Sequence, residues 1–249
     1  MKQYHFPTAL ISLGVFLLVG LPAWAVAPTA PVSSTIPGNY YTWAGVVGLA
    51  SPVESDVMVG GKQVDVHTEV GGDVLAVAGK MRIAGTVMGN VRVMGGEVEI
   101  SGTVGRNVTI VGGTVIFTPQ SRVFGHVLVA GGTVKFNGVI DGSVKAAGRT
   151  VSVAGTIKGP IDILLDNNGQ LEIGSSAVTT NSFNYRANNE ATILSGAKLA
   201  QTPVRQSLPP VPSNRFTRDW WWGQLAALFS AWVLAMVLTK LIPKKVIEV

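Results

Sequence analysis

The chain has 249 residues, of which 47% are hydrophobic and 13% are charged, and its formal net charge is +5. It has no cysteine, which excludes disulfide bonds, thiolate catalysis and cysteine-based metal sites. Residues 56–200 hold twelve Lys/Arg and eleven Asp/Glu, a net of +1, whereas residues from 201 onward hold six and two, a net of +4. The basic excess therefore belongs to the C-terminal part, and we expect no nucleic-acid partner for the central region.

The N-terminus has the features of an export signal. Lys2 precedes an uncharged apolar run over residues 9–21, and Ala23 and Ala25 place small residues before a cleavage site. We therefore predict a signal peptide over residues 1–25. An uncleaved membrane anchor is the alternative, although the run is shorter than the ~20 residues that a helix needs to span a bilayer.

Residues 26–55 are rich in proline, serine, threonine and alanine, and we predict that they form a linker. An aromatic stretch at residues 40–43 interrupts this composition. It either covers the first turn of the following domain as an N-terminal cap or forms an exposed contact surface.

A seventeen-residue repeat dominates residues 56–200. Val57, Val74 and Val91 mark its spacing, which resumes at Val127 after a single step of nineteen residues. Apolar and polar residues alternate within each unit, as in half-buried strands, and glycine-rich breaks separate the runs. The first members of the five resulting apolar columns are Val57, Val59, Val64, Val66 and Val70. Such a short period means that each unit must bury its apolar side chains against its neighbours.

The repeat predicts an all-β parallel β-helix of about eight turns, with successive turns about 4.8 Å apart. Glycine pairs such as Gly95 and Gly96 are expected to reach left-handed backbone angles at a corner. The two extra residues of the nineteen-residue step fall in the corner 118–122, where a coil can absorb an insertion. A left-handed β-helix with hexapeptide repeats is our second choice, because it would need eighteen residues per turn.

Two outward columns differ from an ordinary polar surface. Asp65, Arg82 and Glu99 alternate in sign in three successive turns, which indicates either cross-strand ion pairs or a normal solvated face. The second column has several apolar members and consists of Met58, Leu75, Arg92, Thr109, Leu128 and Lys145.

The C-terminal part has the pattern of a membrane anchor. Residues 201–219 form a proline-rich linker, and the apolar run 220–242 is long enough to span a bilayer at 1.5 Å per residue. We predict one transmembrane helix over 220–242 and a cytoplasmic tail over 243–249, with an amphipathic surface helix as the alternative. The residues expected at the membrane boundaries are Trp220, Trp221, Trp222, Lys240, Lys244 and Lys245. After export, this topology leaves the β-helix on the extracytoplasmic side of a cell membrane.

The repeat region lacks a constellation typical of catalysis. His67 and His126 lie in different columns, and the column of His126 holds small polar residues that are common in turns. Glu97 lies at a corner, without the second carboxylate across a cleft that glycoside hydrolysis requires. We therefore predict that the protein is not an enzyme and has no catalytic residues, cofactor or metal.

The unit from Gly89 to Val104 resembles the repeat of the bactofilin, or polymer-forming cytoskeletal, family, and the copy that begins at Gly72 is similar. The resemblance covers residues 56–163 well and residues 164–200 loosely. It implies a right-handed, triangular β-helix that assembles end to end into filaments without bound nucleotide and organises cell-wall and cell-shape components. Bactofilins proper are cytoplasmic, so this chain resembles an exported, membrane-anchored variant.

The open ends of a β-helix carry unpaired backbone groups, so a second rod can continue every ladder of the first. We therefore predict a self-assembling scaffold whose partners are further copies of itself, the lipid bilayer and components of the cell envelope. The residues expected at the assembling ends are Val57, Val59, Val64, Val66, Phe183, Tyr185 and Ile193.

Two other functions stay open. A module that binds envelope glycan or protein would use the apolar outward column that includes Met58 and Leu128. An enzyme acting on carbohydrate would use Glu97, His126 and Asp141.

Overall fold

The computed structural model describes residues 35–208, which form an all-β parallel solenoid of about ten turns. No helix occurs in this range, and so none of these residues belongs to a helix that could cross a membrane. The predicted signal peptide (1–25) and transmembrane helix (220–242) lie outside the described residues.

Long strands of about ten residues alternate with very short ones along the chain. The strands are β1 (Tyr40–Leu49), β2 (Val57–Val66), β3 (Val74–Ile83), β4 (Thr86–Val87), β5 (Val91–Ile100), β6 (Thr103–Val104), β7 (Val108–Phe117), β8 (Arg122–Val123), β9 (Val127–Phe136), β10 (Val139–Ile140), β11 (Val144–Val153), β12 (Thr156–Ile157), β13 (Ile161–Ile173), β14 (Val178–Thr179), β15 (Phe183–Arg186), β16 (Thr192–Ile193), β17 (Lys198–Leu199) and β18 (Val204–Gln206).

Two parallel sheets form the walls of the solenoid. One runs β1-β2-β3-β5-β7-β9-β11-β13-β15-β18, with β16 beside β13, and the other runs β17-β14-β12-β10-β8-β6-β4. Each regular strand pairs with its equivalent one repeat away, so Val57 lies beside Val74 and Val74 beside Val91. The inward–outward alternation breaks in the glycine-rich middle of a long strand and divides it into two parts. We call these the first arm, residues 57–60 in β2, and the second arm, residues 63–66.

The five predicted apolar columns are confirmed as the core. Every member from Val57 to Ile163 is at most 5% exposed. The rings of Phe117 and Phe136, which are neighbours in one column, stack with their centroids 5.3 Å apart. Removal of this apolar surface from water is the dominant stabilising contribution, because the free energy of transfer scales with the area buried.

The predicted number of about eight turns is too low, because the solenoid extends at both ends. β1 pairs with β2 from Tyr40↔Val57 to Leu49↔Val66, so residues that we assigned to a linker or cap form a complete wall of the first turn. The aromatic and polar residues at inward positions of β1 hid this turn from a search for aliphatic columns. At the other end, β17 and β18 continue the two sheets beyond the last expected strand.

The predicted insertion site is confirmed. Residues 118–121 connect β7 to β8, and the backbone N–H of Ser121 donates to the carbonyl of Thr118 (3.0 Å), which closes a turn. The pairing of Phe117 with Phe136 keeps its place in the column. The corner therefore absorbs the insertion without disturbing the core.

A second insertion lies inside β13. Gly148 pairs with Leu165, whereas Thr150 pairs with Gln170, so three extra residues enter between the two arms of this strand. The insertion explains why the repeat is regular up to Ile163 and hard to follow beyond it.

The expected reason for the glycine pairs is wrong. Among the described residues, only Gly38 and Gly196 have positive φ, at 70° and 110°. A Cβ atom on Gly95 would instead lie 2.7 Å from the carbonyl oxygen of Ala78, in the turn below. Glycine is needed at such corners because successive backbones approach closely, and not because of a left-handed backbone.

A ladder of side-chain hydrogen bonds follows the corner that precedes each long strand. The Asp73 carboxylate accepts the backbone N–H of Asn90 (2.7 Å), and the Asn107 side chain accepts that of His126 (2.9 Å). His126 Nδ1 in turn accepts the N–H of Ser143 (3.0 Å). Because each bond reaches the next turn, these polar residues hold successive turns together, and His126 is one member of that ladder.

Candidate functional site

One outward face of the solenoid is apolar along most of its length. The last residues of the first arms lie in register and are Trp43, Gly60, Val77, Met94, Val111, Ala130, Ala147 and Leu164. We call this set the apolar column. These eight members include no polar or charged side chain, yet the five large ones are each at least 41% exposed, and the column ends at the charged Arg186, which lies beside Leu164 in the next turn. An exposed apolar surface of this extent commonly marks an interaction site.

The outward column singled out from the sequence lies directly beside the apolar column. Its apolar members Met58, Leu75 and Leu128 are indeed exposed. Its first cation, Arg92, is paired through Nη1 with the carboxylate of Asp73 (2.7 Å). The two columns together make the outer surface of the first arms, which we call the first-arm face.

The first-arm face contains a groove at its N-terminal end. The groove has a volume of about 450 Å³ and is lined by Tyr41, Thr42, Trp43, Met58, Val59, Leu75, Ala76 and Val77. The Trp43 ring lies over Gly60, where any side chain would collide with it. Since no charged side chain lines this groove, it suits apolar or aromatic groups.

The outer surface of the second arms, which we call the second-arm face, is polar and charged. Lys80 pairs with Glu97 and Arg82 with Glu99, each at 3.2 Å. The predicted stacking of Asp65, Arg82 and Glu99 in successive turns is confirmed. Exposed pairs of this kind contribute about 0–1 kcal/mol each, so this surface is a solvated one.

Asp141 lies between two cations. Its carboxylate is 2.8 Å from Lys158 Nζ and 3.0 Å from Arg122 Nη2. The hydrogen bond from Lys158, assisted by Arg122, lowers the pKa of Asp141. At Asp73 the backbone N–H of Asn90 is the main cause of a lowered pKa.

The three residues considered for carbohydrate chemistry are each held in a structural contact. Glu97 pairs with Lys80, His126 bonds to Ser143, and Asp141 is held by its two cations. Within residues 35–208 no three His, Cys, Asp or Glu side chains come together in a way that could hold a metal ion.

Six of the seven residues predicted at the assembling ends do not lie in terminal strands, whereas Ile193 lies in β16, which pairs only with β13 among the described strands. Val57, Val59, Val64 and Val66 are at most 3% exposed, because β1 covers them on one side and β3 on the other. At the other end Phe183 and Tyr185 are buried in β15, next to β18, whereas Ile193 is 47% exposed. The terminal strands of the larger sheet are β1 and β18, and those of the smaller sheet are β4 and β17.

The apolar column is the surface that the sequence analysis missed. Small residues such as Gly60, Ala130 and Ala147 interrupt it, and they read as part of the glycine-rich corners. Applying the seventeen-residue register to the position three residues after Val57 would have found it.

The predicted membrane-boundary residues Trp220 to Trp222, Lys240, Lys244 and Lys245 lie outside the described residues. No protein-family profile, curated protein or solved structure matches this chain.

Proposed function

We propose that this protein is a non-enzymatic scaffold of the bactofilin type that associates with copies of itself through the ends of its solenoid. In this proposal the coil is right-handed and triangular, and residues 1–25 direct its export. The segment 220–242 holds it at the outer side of a cell membrane, where it organises components of the envelope or of cell shape.

The observation that carries this proposal is the free edge of β1. This strand pairs along its length with β2 and with no other described strand. Alternate residues of a parallel strand direct their backbone groups to opposite sides. The carbonyl of Leu49 accepts the N–H of His67 in the next turn (3.0 Å), so the backbone groups of Val46 and Gly48 point to the free side. A long, regular edge of this kind is a template for another strand.

The two ends of the solenoid differ in what they offer a partner. At the β1 end the inward side chains of Val47 and Leu49 are nearly inaccessible, so this end presents mainly a backbone edge. At the other end β18 has only three residues, and Ile193 and Val204 are about half exposed. This difference supports association mainly through the β1 end, and less through both ends equally.

Proline at position 46 tests this proposal. Val46→Pro removes an N–H from the free side of β1 and leaves the bonds to β2 in place, because proline is tolerated on an edge strand. Val46→Thr is the matched control, since it keeps the N–H and a β-branched side chain. The full chain is extracted in mild detergent and studied by electron microscopy and sedimentation.

We expect end-to-end assemblies of the wild-type protein and of Val46→Thr, and single rods of Val46→Pro. Single rods of the wild-type protein would overturn the proposal, as would assemblies that the proline leaves unchanged.

A module that binds envelope glycan or protein is the second candidate, and the groove beside Trp43 favours it. An exposed tryptophan and tyrosine at one concave site are typical of binding surfaces. If this function is correct, the full chain should bind isolated cell-wall material or envelope proteins, and Trp43→Ala should release it whereas Val46→Thr should not.

A further inference from the structure

The geometry points to a second self-contact, separate from the ends: two copies pair side by side, in parallel, through their first-arm faces. This inference goes beyond the proposed end-to-end association and does not depend on it. It starts from the apolar column, whose five large side chains are exposed although nothing polar lies among them.

The backbone of this face excludes an added strand as its partner. First arms of neighbouring turns are paired on both sides within the sheet, as Val77 is with Gly60 and with Met94. The face can therefore bind only through side chains. A matching partner must present apolar side chains at intervals of about 4.8 Å over the same length, which is the spacing of parallel strands.

A second copy of this chain presents such a surface. Eight first arms, at about 4.8 Å per turn and about 13 Å per arm, give roughly 500 Å² on each copy and about 1,000 Å² in a pair. That total reaches the lower limit for a specific protein–protein interface. A bilayer surface fits less well, because membrane-binding faces combine apolar residues with several free basic ones. The eight first arms carry two outward basic residues, Arg92 and Lys145, and Arg92 is already paired with Asp73.

The distribution of charge along the face selects the parallel arrangement. The three N-terminal turns of the face are free of charge, whereas Arg92 lies in its fourth turn, and Lys145 and Asp162, which are neighbours in register, lie in its C-terminal turns. A two-fold axis along the rod places the uncharged turns of one copy on those of the other. An antiparallel pair would instead bury apolar turns against charged ones, at the cost of desolvating the charges.

In three of the eight turns, this arrangement also places a large side chain opposite a small residue, whereas Leu75 meets the large side chain of Val77 in the second copy. The two-fold axis then runs between the apolar column and the outward column beside it. Each residue of one column therefore faces a residue of the other column in the second copy, at the same turn. Met58 of one copy then faces Gly60 of the second copy, and Leu128 faces Ala130 of the second copy. Such matching of size allows the close packing that specific interfaces show.

The absence of cysteine from the chain makes a direct test possible. Single cysteines at Met94 or Leu164 are introduced into the full chain in its native membrane and treated with a bis-maleimide of about 10 Å reach, which suits facing sheets about 10 Å apart. Gln63→Cys, an exposed position on the second-arm face, is the control. We expect a covalent dimer from Met94→Cys and from Leu164→Cys, and only background from Gln63→Cys.

A lysine introduced into the apolar column tests whether this column makes the contact between the two copies. Adding Val111→Lys to Met94→Cys should lower the dimer fraction by about tenfold, because it buries an unpaired charge between the copies. Thr114→Lys adds the same charge three residues later in β7, on the second-arm face, and should leave the dimer unchanged.

Three results would overturn the inference. One is a dimer fraction at Met94→Cys no higher than at Gln63→Cys, and another is a dimer that survives Val111→Lys. The third is a dimer formed on mixing Trp43→Cys with Leu164→Cys while Leu164→Cys alone gives none, because that pattern requires antiparallel rods. Val46→Pro should leave the lateral dimer intact, so failure of end-to-end association and failure of lateral pairing are distinguishable.

Discussion

The turns between residues 57 and 157 differ from those after residue 161 in regularity and in burial. In the first region the equivalent residues of successive turns lie seventeen apart, apart from the single corner insertion, and the inward columns are almost inaccessible. In the second region Ile161 pairs with Phe183, twenty-two residues later, and Ile193 and Leu194 are more than 40% exposed.

This difference shows what the strict repeat provides. When the spacing is constant, a side chain meets the same kind of side chain above and below it, so one apolar choice per column is enough to build a core. When insertions change the length of a turn, the columns lose their partners. Stability should therefore be concentrated in the regular turns and low in the last ones.

The largest effect is expected from the core of the regular region. Phe117 is fully buried and stacks on Phe136, so Phe117→Ala should lower the free energy of unfolding by about 3–5 kcal/mol. Ile193→Ala in the last turns should cost less than about 1 kcal/mol, because this side chain is already half exposed. Urea unfolding followed by circular dichroism measures both, and equal losses would contradict the comparison.

A smaller effect is expected at the corners. A Cβ on Gly102 would collide with the backbone of Gly85 in the turn below, whereas a Cβ on Gly48 would meet nothing. Gly102→Ala should therefore lower the free energy of unfolding by about 1–3 kcal/mol. Gly48→Ala should be neutral or slightly stabilising, by up to ~1 kcal/mol. If both substitutions have the same effect on the thermal midpoint, close stacking of the turns is not what requires glycine.

The smallest effect on stability is expected from the removal of one charged side chain in the regular region. Asp141 contacts Arg122 one turn earlier and Lys158 one turn later, and its pKa is lowered, chiefly by Lys158. A lowered folded-state pKa contributes stability that is complete above the unfolded value of about 3.9 and is lost as the pH falls through the lower folded value. Asp141→Asn should reduce stability at pH 7 and weaken the further loss between about pH 5 and pH 2. Unfolding measured across this range tests it, and parallel curves for the two proteins would contradict it.

The inward-facing residues of this fold could be predicted from the sequence, whereas the outward-facing columns could be predicted only in part. The column that begins at Val57 could be read because a buried position accepts only apolar residues, and the same constraint recurs in every turn. Trp43 and Val77 follow the same register but were not recognised as one column, because an outward position accepts almost any residue and Gly60 stands between them. The first turn was missed because Tyr40 and Thr42 take the places of aliphatic residues in β1.

The sequence by itself determined the period of the coil, its parallel strands and the identity of its core, because stacking places residues one turn apart in contact. Only the tertiary structure decided where the coil begins and ends, why its corners need glycine, and how the exposed residues combine into one continuous apolar face. Those properties depend on how closely neighbouring backbones approach and on which outward arms lie side by side. The repeated glycines are visible in the sequence, but the close approach of backbones that requires them is not, and outward positions accept so many residue types that a shared face leaves only a weak pattern.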